Sequence, residues 1–342
     1  MALKSIRTQT EAPFRFIHSD KEGKETGFIG GHIVVDMDVG TTNDFKMEIS
    51  VDSWERERFE YKDMVFIPGT EFGGVVYSIQ SCQKSRKINV KGRTWRGLLQ
   101  KKIVKPPQES EYLILNGELN AVIREMIGVR FGSLFDVPEM DTGVLVKAWR
   151  VDRYVTLLEA LEKLVKNHGC KLRISSIEKD GESPFRISVA AEKTKDYSNE
   201  IEYSGKHYAD LEVEEYKGGV NHLICVGEGQ NTERIVLDLY VGKNGIIGER
   251  QEYFDAEEIE ELYQYSSANL EELEKGGIKR LTEIMNCKQV KATVRDVDIE
   301  IGDIVAGYDK VTNTNVIVPI VGKVLKMKNG TIKIEHKTKG DR

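Results

Sequence analysis

The sequence of 342 residues predicts an α+β fold that is mostly β. Short apolar segments, several of which alternate apolar with polar residues, recur about every ten residues in the first part of the chain, which is typical of strands. The apolar spacing then changes to the three- and four-residue intervals of amphipathic helices before strands return. These changes predict a β-rich domain at 1–107, an inserted α+β domain at 108–208 and a second β-rich domain at 209–342.

Strand signals dominate the first domain. The predicted strands lie at 33–39, 45–51, 64–67, 75–79 and 86–91. The last of them leads through Gly92 into a short helical or irregular segment, which ends at Pro106-Pro107 because proline cannot continue a helix. Short strands at this spacing, separated by Gly, Asn and Asp, predict a barrel or a sandwich.

The inserted domain is predicted to contain two helices followed by two strands. Asn116 can accept a backbone N–H at the start of the first helix, which ends at Gly128. Thr156 and Glu159 form a capping box, in which each side chain accepts a backbone N–H of the other residue, and this opens the second helix. The predicted strands follow at 171–177 and 185–190.

The second β-rich domain is predicted to carry a helix between its strands. Its strands are expected at 211–216, 222–228, 234–241, 291–299, 304–308, 316–327 and 331–336. Apolar residues at helical spacing predict a helical segment from about 255 to 286. Gly276-Gly277 lies within this segment, and glycine in a helix interior can kink or break it.

Two stretches carry opposite charge in a chain whose net charge is −6. Residues 81–108 contain nine Lys or Arg and no acidic residue, whereas residues 249–274 contain ten Asp or Glu and one Arg. Each stretch can be a solvated face, or the two can be complementary interfaces between neighbouring subunits of a ring. The candidate interface residues in the basic stretch are Lys87, Lys91, Arg93, Trp95, Arg96, Lys101 and Lys102.

Nucleic acid is a weaker explanation of the basic stretch. Basic residues around a tryptophan can form a platform for a single strand. However, the chain as a whole is acidic and contains no recognised nucleic-acid-binding motif. We therefore do not expect sequence-specific binding of nucleic acid.

The sequence contains no motif that indicates catalysis, a metal or a cofactor. It lacks a phosphate-binding loop, the H-E-x-x-H motif and the G-x-S-x-G motif. Its six histidines include no i,i+4 pair, and its four cysteines form no C-x-x-C motif. The paired glutamates at 257–258 and 260–261 are expected on a solvated face of the helical segment. We therefore expect no catalytic residues, no metal site and no cofactor, and a protein that is not an enzyme.

Signals for export or membrane insertion are also missing from the sequence. The first residues lack the apolar core and the small-residue cleavage site of a secretory signal. No apolar run reaches the roughly 18 residues that a membrane-spanning helix needs. We expect a chain that is made in a cytoplasm and has no membrane span.

Three segments resemble the hub proteins of phage tails. They are VKGRTWRGLL at 90–99 with the following IVKPP at 103–107, the predicted helix from Asn116 to Ile127, and EIGDIV at 300–305, which is similar to the last β-unit of these proteins. The order of units matches as well. The resemblance is to tail proteins of phages and prophages of Gram-positive bacteria, which are similar to the N-terminal hub part of tail-associated lysins.

The resemblance implies an architecture and a set of partners. It implies two tube-like β-barrel domains, with the α+β domain inserted, in a homotrimer that can stay monomeric before assembly. The implied partners are the distal tail or tail tube proteins, the tape-measure protein or a tail fibre or spike, and phage DNA that passes non-specifically. The implied location is the virion tail, reached from the host cytoplasm, and acidic side chains are expected to line the DNA channel.

Two other functions remain open at this point. One is a tail-associated peptidoglycan hydrolase with an unrecognised site in the inserted domain, which would need two carboxylates in differently tuned environments. The other is a host-surface-binding tail module, which would need an exposed aromatic platform. The three tryptophans, Trp54, Trp95 and Trp149, are instead expected to pack in a core or an interface.

Overall fold

The computed structural model describes residues 15–30, 32–54, 58–108, 110–177, 185–198, 208–216, 218–285, 287–294, 299–309 and 314–338. In these ranges the chain is mostly β with few helices, as the sequence predicts. It forms two compact units. Unit 1 comprises the described residues of Met1–Leu211 and Lys291–Lys339, and unit 2 comprises those of Glu212–Val290. The predicted domains at 1–107, 108–208 and 209–342, and the two barrels, stay a prediction.

Unit 1 is built around a main sheet, and the N-terminal part of the chain contributes seven strands to it. These are β1 (Ile17–Ser19), β2 (Glu25–Phe28), β3 (Val34–Val39), β4 (Asp44–Ser50), β5 (Met64–Phe66), β6 (Gly73–Cys82) and β7 (Lys87–Thr94), with the short α1 (Val51–Trp54) after β4. Each strand predicted between 33 and 91 is therefore confirmed. In β4, Phe45, Met47 and Ile49 are buried whereas Lys46 is exposed, because successive strand residues point to opposite faces.

The next part of the chain contains the two predicted helices, the two predicted strands and further short elements. The elements are α2 (Trp95–Gln100), β8 (Leu113–Glu118), α3 (Leu119–Ile127), β9 (Phe135–Asp136), β10 (Leu145–Val151), α4 (Leu157–Asn167), β11 (Cys170–Ile177), β12 (Arg186–Lys193) and β13 (Tyr208–Tyr216). Strand β8 pairs with β10, and β11, β12 and β9 form another small sheet.

The starts of α3 and α4 test the predicted helix caps. The capping box of Thr156 and Glu159 is present at the start of α4. The predicted cap of α3 is wrong, because Glu118 and not Asn116 accepts the free N–H of Ala121, at 2.9 Å. A carboxylate at this position also interacts favourably with the helix dipole. Asn116 lies in strand β8 instead.

Unit 2 contains a small sheet covered on one face by a helix. Its elements are β14 (His222–Val226), β15 (Val236–Val241), β16 (Ile247–Gly248), β17 (Glu260–Gln264) and α5 (Leu270–Ile284), and the strand order is β16-β15-β14-β17. The helix predicted from about 255 is wrong in its first part. Asn269 and Glu272 form a capping box that starts α5 only at Leu270, and residues 260–264 instead pair with β14 as a parallel strand.

The glycine pair in α5 allows a close contact and does not break the helix. A Cβ atom on Gly277 would lie 2.6 Å from Sγ of Cys225 and 2.7 Å from Cδ1 of Leu239, both in the sheet. Glycine at this position therefore lets the helix backbone approach the sheet closely. Among the described helices, α5 included, none is both long and apolar enough to cross a bilayer.

The last strands of the chain join the main sheet of unit 1. They are β18 (Cys287–Val294), β19 (Ile304–Asp309), β20 (Thr314–Lys328) and β21 (Thr331–Thr338). Strand β20 pairs antiparallel with β3, with Leu325 opposite Met37. The sheet order from β18 onward is β18-β21-β20-β3-β4-β7-β6-β5-β1-β2, with β19 beside β20, and the sheet curls into a half-barrel. The sequence predicts that these strands form a separate barrel. It does not reveal their pairing with β3, because pairing between strands that are distant in the chain leaves no local signal.

One hydrophobic core connects the main sheet to the segment that follows it. Met64 and Phe66 of β5 belong to the same cluster as Trp95 and Leu99 of α2. The cluster continues through buried residues of α3, α4, β11 and β12: Leu119, Val122, Ile123, Leu157, Leu161, Leu164, Leu172, Ile187 and Val189. Truncating a buried aromatic residue typically costs about 3–5 kcal/mol, so the fully buried Trp95 is a main contributor to the stability of unit 1.

We expect Gly277→Ala to destabilise unit 2 relative to Gly276→Ala. Both changes gain the same helix propensity, about 1 kcal/mol, so that gain cancels in the comparison. The added methyl group at 277 meets packed sheet residues, whereas at 276 its nearest neighbour is the hydroxyl end of Tyr263, at 2.5 Å, which can move. Overpacking should cost about 1–3 kcal/mol at 277 only.

Hydrogen exchange of the α5 amides in the two variants measures this difference directly. Thermal unfolding followed by circular dichroism provides a second measurement. Equal protection of α5 in both variants would show that the helix does not pack against the sheet as closely as described.

Candidate functional site

The basic stretch 81–108 forms the end of β6, the strand β7 and the helix α2. Thr94 starts α2, because its hydroxyl oxygen accepts the backbone N–H of Gly97 at 3.4 Å. Trp95 and Leu99 are fully buried and Leu98 is half-buried. Of the two places expected for Trp95, a core or an interface, the structure shows the core, and Leu99 and part of Leu98 are buried there as well.

Five of the seven candidate interface residues are at least partly exposed on unit 1: Lys87, Lys91, Arg93, Lys101 and Lys102. Nζ of Lys87 lies 2.8 Å from a carboxylate oxygen of Glu48. Hydrogen bonds from Lys46 and Lys87 lower the pKa of Glu48 to about 2. The guanidinium of Arg93 lies 4.7 Å from the ring centre of Tyr77. An interface role for these residues stays a prediction.

Arg96 is a correction to the predicted surface, as is the fully buried Trp95. The Arg96 side chain is 1% exposed, so it cannot belong to an exposed basic face. Its Nε donates to Glu71 at 2.5 Å, its Nη1 donates to Glu162 at 2.8 Å, and its Nη2 donates to the carbonyl of Leu172 at 2.9 Å. Burial opposes the charge, but the two glutamates outweigh it and raise the pKa of Arg96 above its ordinary value.

Glu71 extends this network to the C-terminal part of the chain. Nζ of Lys323, in β20, lies 3.8 Å from the second carboxylate oxygen of Glu71 and also pairs with Glu300. The Lys323 side chain is 6% exposed and lies over the ring of Phe72, at 5.4 Å. The network therefore connects α2, the turn before β6 that contains Glu71, helix α4 and strand β20.

The Gly302-Asp303 turn forms another buried ion pair. Asp303 is fully buried, and both of its carboxylate oxygens accept hydrogen bonds from Nζ of Lys171 at 2.8 Å. It also accepts the backbone N–H groups of Lys195 and Glu300, each at 2.9 Å. Gly302 has a φ of +98°, which favours glycine. The turn thus fixes the C-terminal segment to β11.

Two of the three segments that resemble phage tail proteins, 90–99 and 300–305, therefore have structural roles inside unit 1. The first places Arg96 in its carboxylate network, and the second places Asp303 on Lys171. Neither brings together groups with the geometry of a catalytic site.

A cavity of about 400 Å³ in unit 1 lies between the main sheet and the segment after it. Apolar side chains such as Met64, Leu98 and Phe185 line it, and Glu22 is the carboxylate among its lining residues. A glycoside-cleaving site needs two carboxylates. Among the described residues, this cavity does not provide that pair.

Unit 2 contains a cluster of charged side chains around His222. His222 lies directly opposite Tyr240 of β15 and opposite Glu260 of β17, and Asp238 lies two residues from Tyr240 on the same strand. The His222 Nε2–H donates to Asp238 at 2.8 Å. The other ring nitrogen, Nδ1, lies 2.8 Å from Glu258 and 3.2 Å from Glu260.

The surroundings of His222 are partly buried and negatively charged. The histidine side chain is 9% exposed, whereas those of Glu258 and Glu260 are 20% and 55% exposed. Its ring stacks on that of Tyr240, with ring centres 4.3 Å apart. Burial and the charges of Asp238, Glu258 and Glu260 raise the pKa of Tyr240.

The sequence interpretation missed this cluster. It places Glu257-Glu258 and Glu260-Glu261 on a solvated helix, whereas Glu260 begins a strand and Glu258 precedes it. The available signal was the Glu-Ile-Glu alternation at 258–260, which puts both glutamates on one side of an extended chain. Strand register, which no local pattern reveals, then places them beside His222.

Comparison with known proteins shows what the fold is similar to. No protein-family model and no curated protein matches the sequence. A match among solved structures is the 43 kDa tail protein of prophage MuSo2 from Shewanella oneidensis, with 14% identity, a TM-score of 0.52 and coverage of 95% of this chain and 98% of that chain. This chain has a fold similar to that of a prophage tail protein.

Other solved structures of tail proteins match at lower scores. The tail protein from Neisseria meningitidis MC58 has 13% identity and a TM-score of 0.47, with coverage of 95% of this chain and 97% of that chain. Prophage tail protein gp18 from Listeria monocytogenes EGD-e has 12% identity and a TM-score of 0.44, with coverage of 96% and 94%. We base the similarity of fold on the Shewanella protein alone. The resemblance to phage tail proteins is thereby confirmed at the level of the fold.

We expect Arg96→Met to destabilise unit 1 by about 3–5 kcal/mol. The change removes the cation and leaves Glu71, whose side chain is 2% exposed, without its main partner. Lys87→Met is the matched control, because it removes the cation of an ion pair with Glu48 whose lysine is 54% exposed. Exposed pairs contribute about 0–1 kcal/mol.

Urea unfolding followed by tryptophan fluorescence measures this effect, since the three tryptophans of the chain all lie in unit 1. Adding Glu71→Gln to Arg96→Met should recover part of the lost free energy, because it removes the unpaired charge. Similar losses for Arg96→Met and Lys87→Met would contradict a buried network.

The stability of unit 1 should fall as the pH drops from about 6.5 towards 4, because of His336. Burial, and then the charge of Lys323 on the neighbouring strand, lower the pKa of His336 to about 4. The unfolded chain, with an ordinary histidine pKa of about 6.5, therefore binds the proton more tightly than the folded chain does. Stability is greatest above the unfolded pKa and is lost as the proton is taken up.

The expected loss from pH 7.5 to pH 5 is about 2 kcal/mol, measured as the difference between the native chain and His336→Gln in urea unfolding. The variant should have the flatter dependence on pH in this interval. Carboxylates with lowered pKa values, such as that of Glu48, act mainly at lower pH. Parallel curves for the two proteins would exclude a buried neutral His336.

Proposed function

We propose that this chain is a structural component of a phage or prophage tail tip, a hub that joins the tail tube to the distal tip and forms part of the DNA channel. The observation that carries the proposal is the fold, which is similar to that of the Shewanella prophage tail protein over 95% of this chain and 98% of that chain. The motifs at 90–99 and 300–305 agree with it, because both have roles in holding this fold together.

The main sheet supports assembly with neighbouring subunits. Within the described ranges, β2 pairs only with β1, and its residues are all exposed, including Phe28 at 63%. An uncovered strand edge is available for pairing with another chain. A ring of subunits can cover such edges, and we propose a homotrimer of this kind, with two barrel-like domains and the α+β segment inserted in each subunit.

The exposed basic residues support a contact surface in the same assembly. We propose that Lys87, Lys91, Arg93, Lys101 and Lys102 face a neighbouring subunit or a tail protein. In β7, Lys91 lies directly opposite Lys46 of β4, and like charges at opposite strand positions are unfavourable in the isolated chain. An acidic partner would relieve this repulsion.

The proposed partners are further tail proteins and DNA. They are the distal tail or tail tube proteins, the tape-measure protein, a tail fibre or spike, and phage DNA that passes without sequence-specific contacts. The proposed location is the virion tail, and the proposed role is not enzymatic. A hydrolase has no observation in its favour among the described residues.

The test is to locate the protein in assembled particles. Antibodies against this chain should label the distal end of the tail in electron micrographs of particles from a producing strain. Particles made without the chain should lack a tip. Labelling of the capsid or of the whole tube length, or normal tips in its absence, would reject the hub. Zones of lysis in host cell-wall gels made by the purified chain would instead support the hydrolase.

Charge reversal tests the proposed contact surface in the same strain. Lys91→Glu with Lys101→Glu should reduce the fraction of particles with tips by tenfold or more. The matched control is Lys24→Glu with Lys147→Glu, which changes the net charge equally at exposed positions elsewhere in unit 1. Neither pair should reduce folding stability, because all four side chains are exposed. Equal effects of the two pairs would show that the basic stretch is not an interface.

A further inference from the structure

His222 lies on the face of the unit 2 sheet that α5 does not cover. In β14, Leu223 and Cys225 are fully buried and belong to the core of unit 2, where Gly277 of α5 lies against Cys225. Alternation along the strand directs His222 to the opposite face. An ion can therefore reach this position without opening the hydrophobic core.

We propose that His222, Glu258 and Glu260 bind one divalent transition-metal ion. Their ligand atoms lie close together: Nδ1 of His222 is 2.8 Å from an oxygen of Glu258 and 3.2 Å from an oxygen of Glu260. Ligand atoms about 3 Å apart can surround one ion at the bond lengths of about 2.0–2.2 Å that zinc makes with nitrogen and oxygen.

The buried nitrogen of His222 points to a ligand independently of the carboxylates. Nδ1 is buried and forms no hydrogen bond of acceptable geometry among the described residues, even though two carboxylate oxygens are near it. Because Nε2 carries the proton that is donated to Asp238, Nδ1 has a lone pair, and the two glutamate oxygens lie beside it rather than in line with it. A buried lone pair beside two anions is unfavourable until a cation lies between them.

Neighbouring side chains already orient the proposed ligands. Asp238 accepts the Nε2–H of His222 at 2.8 Å, and a carboxylate in this position is typical of metal-binding histidines. The amide of Gln251 donates to Glu258 at 2.6 Å. Together with the stacking of Tyr240 on the imidazole, these contacts fix the ring and one carboxylate before any ion binds.

The ligand types select the class of ion. One imidazole nitrogen with two carboxylates suits Zn²⁺ and related transition-metal ions, whereas Ca²⁺ and Mg²⁺ prefer oxygen ligands alone. The ion would neutralise the charge of the glutamates and tie the segment before β17 to β14. The site is therefore expected to stabilise unit 2, and this expectation does not depend on the proposed role in a tail.

The experiment uses the purified full chain after treatment with a chelator. Calorimetric titration with Zn²⁺ at pH 7.5 should give one site per chain, and thermal unfolding should shift upward with Zn²⁺. The same titration with Ca²⁺ at the same concentrations should give no measurable heat of binding. Nitrogen-15 spectra of the histidines identify the ligand atom, because Nδ1 of one of the six histidines should shift on Zn²⁺ addition while the other five serve as internal controls.

Isosteric variants assign the residues. Glu258→Gln and Glu260→Gln should each weaken Zn²⁺ binding by tenfold or more, and Asp238→Asn should weaken it by about 10–100-fold by acting through His222. Glu257→Gln is the matched control, since this exposed glutamate adjoins Glu258 and lies outside the cluster. These side chains lie at or near the surface, so the variants should fold even if His222→Gln does not.

Three results would overturn the proposal. They are a failure of Zn²⁺ to bind with a stoichiometry near one, unchanged affinity in both Glu258→Gln and Glu260→Gln, and a shift of a histidine other than His222. If no ion binds and His222 is found doubly protonated at pH 7.5, the cluster is an ion-pair network around a charged histidine, and the metal site is rejected.

Discussion

The ion pairs of Arg96 are the interaction on which the rest of unit 1 depends. Transferring a guanidinium into a protein interior costs several kcal/mol unless its donors are matched by acceptors. Here the acceptors come from Glu71 in the turn before β6, from α4 and from β11. The main sheet and the segment from α2 to β11 therefore cannot separate without leaving a charge buried and unpaired. The hydrophobic cluster around Trp95 and Leu99 strengthens the same junction.

The C-terminal strands are connected to this junction by polar groups as well as by strand pairing. Lys323 reaches Glu71, and Asp303 accepts two hydrogen bonds from Lys171. Buried ion pairs contribute little net stability compared with apolar packing, but they tolerate few alternative arrangements because each charge needs its own partner. We infer that these pairs specify which segments meet, whereas the apolar core supplies most of the free energy of folding.

Local patterns in the sequence predict the elements of this fold well and their assembly poorly. Alternation predicts β3 and β4, and the capping box of Thr156 and Glu159 predicts the start of α4. Nothing local predicts that β20 pairs with β3 or that Glu260 lies opposite His222. Arg96 departs from the predicted surface for a related reason, because the net charge of a basic stretch does not reveal which of its residues points to the interior.

The central position of β20 in the main sheet has a consequence for how the chain folds during synthesis. A ribosome releases β3 long before residues 314–328 exist, so β3 must wait with one edge uncovered while about 275 further residues are made. Unit 2 lies within that interval and all of its strands and its helix are complete earlier. Nascent chains of this protein are therefore expected to rely on chaperones at the β3 edge, and a chain cut before β20 lacks the strand that covers it.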